Sequence, residues 1–299
     1  MTYAPIALFV YNRLVHTRQT VEALLQNELA KESDLIFFSD APRSEAQAGA
    51  VYEVRHYIRQ VDGFKSITIV ERDSNLGLAN SIIDGVTCLC NEYGRVIVLE
   101  DDLVVTPHFL DFMNRGLDKY ENEQQVIQIS GYMFPVELEI GVDSLFLPLT
   151  TSWGWATWRR AWQLFDPDTK GYARVKADLA LRKQFNLGGA YDYFSMLEAQ
   201  LTGRVDSWAV RWQLSTFLFG GLTLYPRYSL VINTGFDGSG THGVRRGFLL
   251  RAGPSEEFVP KSFPGKVIVV GVSWEIVCNQ MRSQLSRIDR IRRWLRILV

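Results

Sequence analysis

The segment Arg95–Asp102, with the sequence RVIVLEDD, joins four apolar residues to three consecutive acids. A buried strand gains nothing from adjacent anions at its end, because their repulsion costs free energy unless a cation or hydrogen-bond donors offset it. A divalent cation that is bound through oxygen and bridges a diphosphate would supply that compensation. The alternative is a strand that runs into an acidic, solvated turn. The apolar run before the acids favours the cation–diphosphate site.

Alternating strand and helix patterns in the first half of the chain predict the frame that positions these acids. Continuously apolar runs predict buried strands at Pro5–Tyr11, Asp34–Ser39, Ile67–Val70 and Val96–Leu99. Helical spacing predicts helices over about 17–27, 44–61 and 78–92. Buried strands separated by amphipathic helices imply a parallel sheet covered on both faces. Such sheets bind ligands at the carboxyl ends of their strands, which is where the acids fall.

Three local patterns predict how particular elements begin or pack. The run Ser44-Glu45-Ala46-Gln47 has the spacing of a capping box at a helix start. Thr106-Pro107 is typical of an N-cap followed by a first-turn proline. Trp155, Trp158 and Trp162 fall at the spacing of a helix's buried face, which favours a core role for Trp158 and Trp162; stacking on a sugar ring is the alternative for Trp155 and Trp158. The second half is otherwise less regular, with helix-like patterns near 175–219 and a short strand at Leu222–Tyr225.

Composition describes an ordinary globular body with a basic end. The chain has 299 residues, 47% hydrophobic and 22% charged, with a formal net charge of -1, which gives no support to nucleic-acid binding. Residues 281–299 contain six arginines and one aspartate, so the rest of the chain is net negative. Three cysteines without a paired spacing predict buried, reduced thiols. With no predicted signal peptide or membrane span, we expect a cytoplasmic location.

Several segments together resemble GT-A-fold glycosyltransferases that use nucleotide sugars, especially N-acetylglucosaminyltransferase I and related bacterial transferases. The strand RVIVLEDD and its continuation LVVTPHFLDFM resemble that family's Asp-x-Asp region in a Glu-Asp-Asp version. PIALFVYNR, Ser39-Asp40 and ERDSNLGLANSI resemble other donor-site segments in the same order. The resemblance covers most of residues 5–245. It implies a GT-A-like (Rossmann-like) α/β fold with a mostly parallel sheet flanked by helices and a more irregular acceptor half.

The resemblance also implies a division of the chain. A catalytic domain would span 1–265, with a donor half to about 105 and an acceptor half from about 106. Residues 266–299 would form a C-terminal extension.

Carried over position by position, the resemblance assigns roles on the donor side. Arg13 would contact the nucleotide or diphosphate and Asp40 the base, while Asn75 and Gly77 would line the pocket. Taken singly, Arg13 could instead be a surface ion pair, Asp40 a helix-leading cap and Gly77 a plain turn glycine.

The three acids themselves also receive roles by resemblance. Glu100 would lie at the donor, Asp101 would take the ribose or bridge toward the metal, and Asp102 would bind the metal directly. The metal would be Mn²⁺ or Mg²⁺ and the donor a sugar linked to a nucleoside diphosphate, with UDP favoured.

On the acceptor side, a transfer with inversion requires a base near the attacking hydroxyl. Asp206, before a helix pattern, is the candidate base, with Glu198 in reserve; a helix cap is the structural alternative for Asp206. The glycine-rich segment 233–243 could approach a diphosphate closely, and its His242 could complete the metal shell. Trp153, beside Gly154, could stack on a sugar ring.

The basic end has the pattern of an amphipathic helix. Apolar residues recur every three or four positions in 281–299 and arginines fill much of the other face. This is typical of a helix on an anionic membrane surface, which would suit a lipid-linked acceptor; packing on the body is the alternative.

The resemblance implies a metal-dependent, inverting transferase in bacterial surface polysaccharide synthesis, and the basic end predicts that it is peripheral on the inner face of the plasma membrane. Two rival functions remain open. One is a sugar nucleotidyltransferase, although the run after the first strand lacks the glycines of a triphosphate loop. The other is a non-catalytic glycan-binding or membrane scaffold protein with this fold.

Overall fold

A computed structural model describes residues 3–238 and 257–297, with backbone only from 285 onward. Its ten strands are β1 (Ile6–Val10), β2 (Asp34–Ser39), β3 (Ser66–Glu71), β4 (Arg95–Glu100), β5 (Leu103–Val105), β6 (Val126–Ser130), β7 (Ser144–Leu147), β8 (Trp155–Trp158), β9 (Leu222–Pro226) and β10 (Val231–Asn233). Its α-helices are α1 (Leu14–Leu25), α2 (Glu45–Ile58), α3 (Gly77–Tyr93), α4 (Phe109–Lys119), α5 (Arg159–Trp162), α6 (Tyr172–Ala177), α7 (Leu179–Phe185), α8 (Tyr193–Leu201), α9 (Trp208–Phe219) and α10 (Gly271–Ile297).

Eight strands form one sheet in the order β3-β2-β1-β4-β8-β6-β9-β7. The first four pair in parallel, and β6 pairs with β9 in parallel, whereas β8 and β7 are antiparallel to their neighbours. All residues of β1 and β6 are buried, as expected when helices cover both faces of a sheet. The predicted fold class, a mostly parallel α/β sheet flanked by helices, is therefore confirmed.

A second, two-stranded sheet lies beside the carboxyl end of β4. Its strands β5 and β10 are antiparallel, with Leu103 opposite Asn233. This pairing brings the chain after β10 back to the turn that follows β4, although the two segments are more than 100 residues apart in sequence.

The predicted helix starts lie within a few residues of the observed ones, but the predicted capping contacts do not form. The helix predicted at Ser44 begins at Glu45, yet the Ser44 side chain makes no cap hydrogen bond. The side chain of Gln47 accepts a hydrogen bond from the Tyr11 hydroxyl at 2.6 Å, so the predicted capping box does not form. Thr106 is not an N-cap either, because α4 begins at Phe109 and follows His108.

Trp158 and Trp162 are core residues, as predicted, and Trp155 is buried as well, but the run is not one helix. Trp155 and Trp158 are the two ends of strand β8, which is fully buried between β4 and β6. Only Trp162 is helical, in the single turn α5. Trp155 packs against Trp208 with ring centroids 5.1 Å apart, which ties the sheet to α9.

The C-terminal segment is helical from Gly271 to Ile297, as its spacing predicts. Val277, Cys278 and Met281 are buried against the body, so the first turn of the predicted amphipathic segment belongs to the core. All three cysteines are free, but Cys88 is exposed, so the prediction of buried thiols was wrong for that residue. Within 3–238 and 257–297, no helix has the length and apolarity needed to cross a bilayer.

Candidate donor and metal site

The polar residues predicted for the donor site follow three neighbouring strands. Arg13 comes three residues after β1, Asp40 directly follows β2, and Asp101 and Asp102 directly follow β4. Strand β1 lies between β2 and β4, and all three are parallel. Their carboxyl ends therefore meet at one edge of the sheet, the edge at which open α/β sheets bind ligands.

Arg13 faces two of the three acids. Its Nη2 donates to Asp101 Oδ1 and, at 2.8 Å, to Asp102 Oδ2. The Arg13 side chain is 19% exposed, and those of Asp101 and Asp102 are 6% and 12% exposed. Burial lowers the pKa of Arg13, but the charges of Asp101 and Asp102 outweigh it, so this pKa lies above its ordinary value. The contact is thus an enclosed charge cluster and not the surface ion pair considered as an alternative.

Asp102 retains one oxygen without a partner. Its Oδ2 accepts from Arg13, whereas Oδ1 is buried and has no hydrogen-bond partner among the residues that the structure describes. A buried carboxylate oxygen that has lost its water and gained no donor costs about 1–3 kcal/mol or more. A divalent cation bound at Oδ1 would remove that cost, so the residues present fit the predicted metal.

A metal at this edge of the sheet would need ligands beyond the described side chains. In the described part of the chain, no three His, Cys, Asp or Glu side chains converge as a complete metal cage. Mg²⁺ typically keeps several waters and is bound by one or two carboxylates together with substrate phosphates. Asp102 alone, or with a neighbouring acid, is sufficient for such a site.

The acids repel one another in the metal-free protein. Burial, assisted by the charges of Asp102 and Asp101, raises the pKa of Glu100 to about 8. Burial also raises the pKa of Asp101 to about 6, although Arg13 opposes that shift. In each case the folded state disfavours the charged carboxylate.

Replacing Glu100 by glutamine should therefore stabilise the metal-free protein at pH 8. Because the folded pKa lies above the ordinary value, the stability contributed by protonated Glu100 is present at low pH and is lost as the pH rises toward about 8. We expect a gain of at least about 1 kcal/mol, since one pKa unit corresponds to about 1.4 kcal/mol. Urea unfolding in EDTA at pH 5 and pH 8 measures it.

The gain should shrink toward pH 5, where Glu100 is protonated. Glu123→Gln, at an exposed position, is the control and should change stability little at either pH. Equal stability of Glu100→Gln and wild type at pH 8 would contradict the proposed repulsion.

Asp40 organises the loop that leads into α3. Its Oδ1 accepts from the backbone N–H of Leu76, and its Oδ2 accepts from that of Gly77, both at 2.9 Å. The side chain of Asn75 donates to the carbonyl of Ala41 at 2.7 Å. The structure thus brings Asp40, Asn75 and Gly77 together. The Asp40 carboxylate accepts hydrogen bonds at the start of α3, which are the contacts of the helix cap considered as an alternative for this residue. Gly77 has φ +74°, a left-handed conformation that favours glycine.

Residues Thr234–Asp237, which follow β10, form a wall that packs against Asp102. Sequence patterns did not predict the contacts that this segment makes. Thr234 donates to the carbonyl of Asp102 from both its N–H, at 2.8 Å, and its hydroxyl, at 3.1 Å. A Cβ on Gly235 would lie 2.1 Å from Asp102 Oδ2, so a larger residue would require the Asp102 side chain or the chain at Gly235 to shift. The carboxylate of Asp237 meets His16 Nε2 at 3.2 Å. The glycine-rich composition of 233–243 was the only sequence signal for this wall.

Trp153 lies beside the same wall. Its ring packs edge-on against Phe236, with centroids 5.6 Å apart, and against Tyr132, with centroids 4.7 Å apart. Because Phe236 follows Gly235 directly, the predicted acceptor tryptophan and the metal candidate Asp102 contact one continuous segment.

The other predicted acceptor residues have no described contact with this cluster. Asp206 has a side chain that is 60% exposed and pairs with Arg211 at 3.3 Å. It is not the N-cap of α9; that position is Ser207, whose hydroxyl accepts from the N–H of Val210. Glu198, on α8, accepts from the Tyr172 hydroxyl at 3.2 Å. His242 lies outside the described residues.

No protein-family model matches the chain, and no curated protein matches its sequence. Its structure is similar to that of a mannosyltransferase from Pyrobaculum calidifontis in complex with GDP-mannose and Mn²⁺, at 13% identity and TM-score 0.35, over 58% of this chain and 52% of that one. The chain thus spans about half the length of that transferase.

Two further structures are similar at the same level. Mouse xyloside xylosyltransferase 1 shares 10% identity at TM-score 0.37, over 72% of this chain and 81% of that one. S. aureus TarS shares 10% identity at TM-score 0.37, over 84% of this chain and 41% of that one. All three TM-scores are below 0.5, and we therefore infer function from the site residues instead.

Proposed function

We propose that this protein is a metal-dependent glycosyltransferase that takes its sugar from a nucleoside-diphosphate sugar, with UDP as the nucleotide. The observation that carries the proposal is the buried Asp102 Oδ1, which has no partner among the described residues and belongs to three acids at the ligand-binding edge of the sheet. A cation that also binds a diphosphate would offset the negative charges of these acids. It would also be a partner for the buried Asp102 Oδ1. A purely structural strand end needs neither.

The residues around Asp102 suit a donor of this kind. Arg13 is positively charged and is held at the acidic edge by Asp101 and Asp102. With a metal also bound to these carboxylates, its guanidinium could bind a diphosphate. Asp40 is buried and accepts three backbone bonds, from Ala41, Leu76 and Gly77; a carboxylate has about four acceptor positions, so it can also take a donor from a base. A bound Mn²⁺ or Mg²⁺ would stabilise the negative charge that develops on the leaving diphosphate.

We propose transfer with inversion at the sugar carbon. The acceptor oxygen forms a bond to that carbon as the bond to the diphosphate oxygen breaks, and a base takes the acceptor proton. Asp206 is the proposed base, with Glu198 in reserve, and Trp153 is the proposed sugar platform. A product that retains the donor's anomeric configuration would remove Asp206 from this role.

Calorimetry with UDP tests the metal site directly. We expect wild-type protein to bind UDP in Mn²⁺, and binding to fall by at least about tenfold in EDTA because the cation joins the diphosphate to Asp102. Mg²⁺ in place of Mn²⁺ identifies the preferred ion. No binding of UDP or other nucleoside diphosphates by wild type in either metal would overturn the proposal and favour the non-catalytic scaffold.

We further propose that the acceptor is a glycan or lipid-linked glycan in bacterial surface polysaccharide synthesis, and that the end of α10 holds the enzyme on the inner face of the plasma membrane. Met281 and Gln284 are buried against the body, so the membrane-binding part would begin after Gln284. Five of the six arginines of the segment 281–299 lie beyond that point, and each is worth about 1 kcal/mol near an anionic surface.

Flotation with anionic vesicles tests the membrane proposal. We expect the full chain to float with phosphatidylglycerol vesicles at low salt, and a chain ending at Ser286 to remain in the soluble fraction. Neutral phosphatidylcholine vesicles are the control for charge. Equal flotation of both chains would show that this segment does not bind membranes.

A further inference from the structure

The donor site has a second attachment to α1 besides Arg13. His16 and Thr20 lie four residues apart in α1, so their side chains share one face of the helix, and Arg13 is the N-cap residue that precedes it. Arg13 binds Asp101 and Asp102, and the hydroxyl of Thr20 donates to the carbonyl of Asp101 at 2.8 Å. His16, between them, is only 8% exposed. The proposed function leaves His16 without a role.

His16 holds the far end of the wall. Its Nε2 lies 3.2 Å from Oδ2 of Asp237, one residue before the first described range ends. The near end of the wall is held at Thr234 by two hydrogen bonds to the carbonyl of Asp102. The wall, Thr234–Asp237, is therefore fixed at both ends, and the two fixed points lie on either side of Gly235.

The part between those points sets the position of both halves of the site. Gly235 lies against the Asp102 carboxylate, and a larger residue there would displace one of the two. Phe236 packs edge-on against Trp153. A displacement of the wall would uncover Asp102 and would also shift the ring that supports Trp153.

We propose that His16 is a positioning residue for the donor site: through Asp237 it holds the wall Thr234–Asp237 against Asp102, and this contact sets the affinity for metal and diphosphate. This inference rests on the proposed function only for the affinity. The contact of His16 with Asp237, which attaches the wall to α1, does not depend on the proposed function.

Four proteins test the inference: wild type, His16→Ala, His16→Gln and the control His56→Ala. Glutamine places an amide nitrogen close to the position of imidazole Nε2, so it can keep the bond to Asp237. His56 is an exposed histidine on α2 that contacts Gln60, away from the acids. Hydrogen exchange of a peptide covering 233–238 reports the wall, and calorimetry with UDP and Mn²⁺ reports the affinity.

We expect His16→Ala to accelerate exchange in 233–238 and to weaken binding of UDP with Mn²⁺ about tenfold, with His16→Gln and His56→Ala close to wild type. In a double-mutant cycle with two further proteins, the effects of His16→Ala and Asp237→Ala should be non-additive, because both changes remove the contact between these two side chains. Exchange unchanged by His16→Ala would overturn the attachment. Faster exchange with unchanged affinity would overturn its role in binding.

The same experiment separates this inference from the proposed function. If wild type binds no nucleotide with Mn²⁺, the proposed function and the affinity claim both fail, and hydrogen exchange still decides whether His16 holds the wall. If wild type binds and His16→Ala binds equally well, the proposed function stands and the inference alone is wrong.

Discussion

Asp102→Asn should abolish Mn²⁺-dependent binding of UDP and lower kcat/KM for sugar transfer by roughly three orders of magnitude. Asparagine keeps the shape of the side chain but removes the charge that a divalent cation requires. The metal's stabilisation of a leaving phosphate is worth several kcal/mol, and each 1.4 kcal/mol is about a factor of ten in rate. Because the unpartnered Oδ1 belongs to this side chain, no neighbouring acid replaces it without moving.

The same strand offers a matched control. At the opposite end of β4, Arg95 donates to Asp118 in another arginine–aspartate pair. Asp118→Asn removes a charge from a pair of the same type, with a side chain that is 41% exposed, and should leave UDP binding unchanged. Calorimetry and initial rates on both variants, with circular dichroism to verify folding, measure the difference. Retention of Mn²⁺-dependent affinity by Asp102→Asn within about threefold would show that Asp102 does not bind the metal.

The frame of the site could be predicted because it depends on local sequence. The strands of the parallel half are continuously apolar, and the helices between them have helical spacing, so both were assigned correctly. Strand β8 could not be assigned in this way. Trp155 and Trp158 are three residues apart, which suits a helix, but both faces of this strand are buried and the usual alternation is therefore absent. Only its neighbours in the sheet decide the element.

The site residues differ in the same way: some follow from local sequence, and others depend on contacts between distant segments. Arg13, Asp101 and Asp102 received their roles from the resemblance; each follows a strand of the parallel half, and the structure brings the three side chains into contact. His16 and Gly235 were missed because their partners, Asp237 and Asp102, lie more than 100 residues away, and a sequence pattern does not show that β10 pairs with β5. The wall is thus a product of tertiary structure.

Gly235→Ala should lower kcat/KM about 100-fold, because a misplacement of roughly 1 Å in a catalytic site can cost that factor. The added Cβ would lie 2.1 Å from Asp102 Oδ2 and 3.0 Å from Arg13 Nη1. Gly235 is not in the left-handed conformation, so alanine is acceptable to the backbone and the effect is one of contact alone. Either the ion pair of Arg13 with Asp102 breaks, or the wall withdraws and loses the bonds of Thr234. Overpacking of this kind costs about 1–3 kcal/mol of stability.

Two comparisons distinguish this contact from a general effect of alanine. Gly49, within α2, has nothing within 4 Å of its added Cβ, so Gly49→Ala should stabilise the protein by about 0.5–1 kcal/mol and leave activity unchanged. In an Asp102→Ala background, the carboxylate atoms nearest the new methyl group are absent, although Arg13 Nη1 still lies 3.0 Å from it, and Gly235→Ala should then cost less stability. Urea unfolding of the four proteins of this cycle measures the coupling. Equal costs of Gly235→Ala in both backgrounds would mean that the wall does not press on Asp102, because the collision with that carboxylate is the only reason for the two costs to differ.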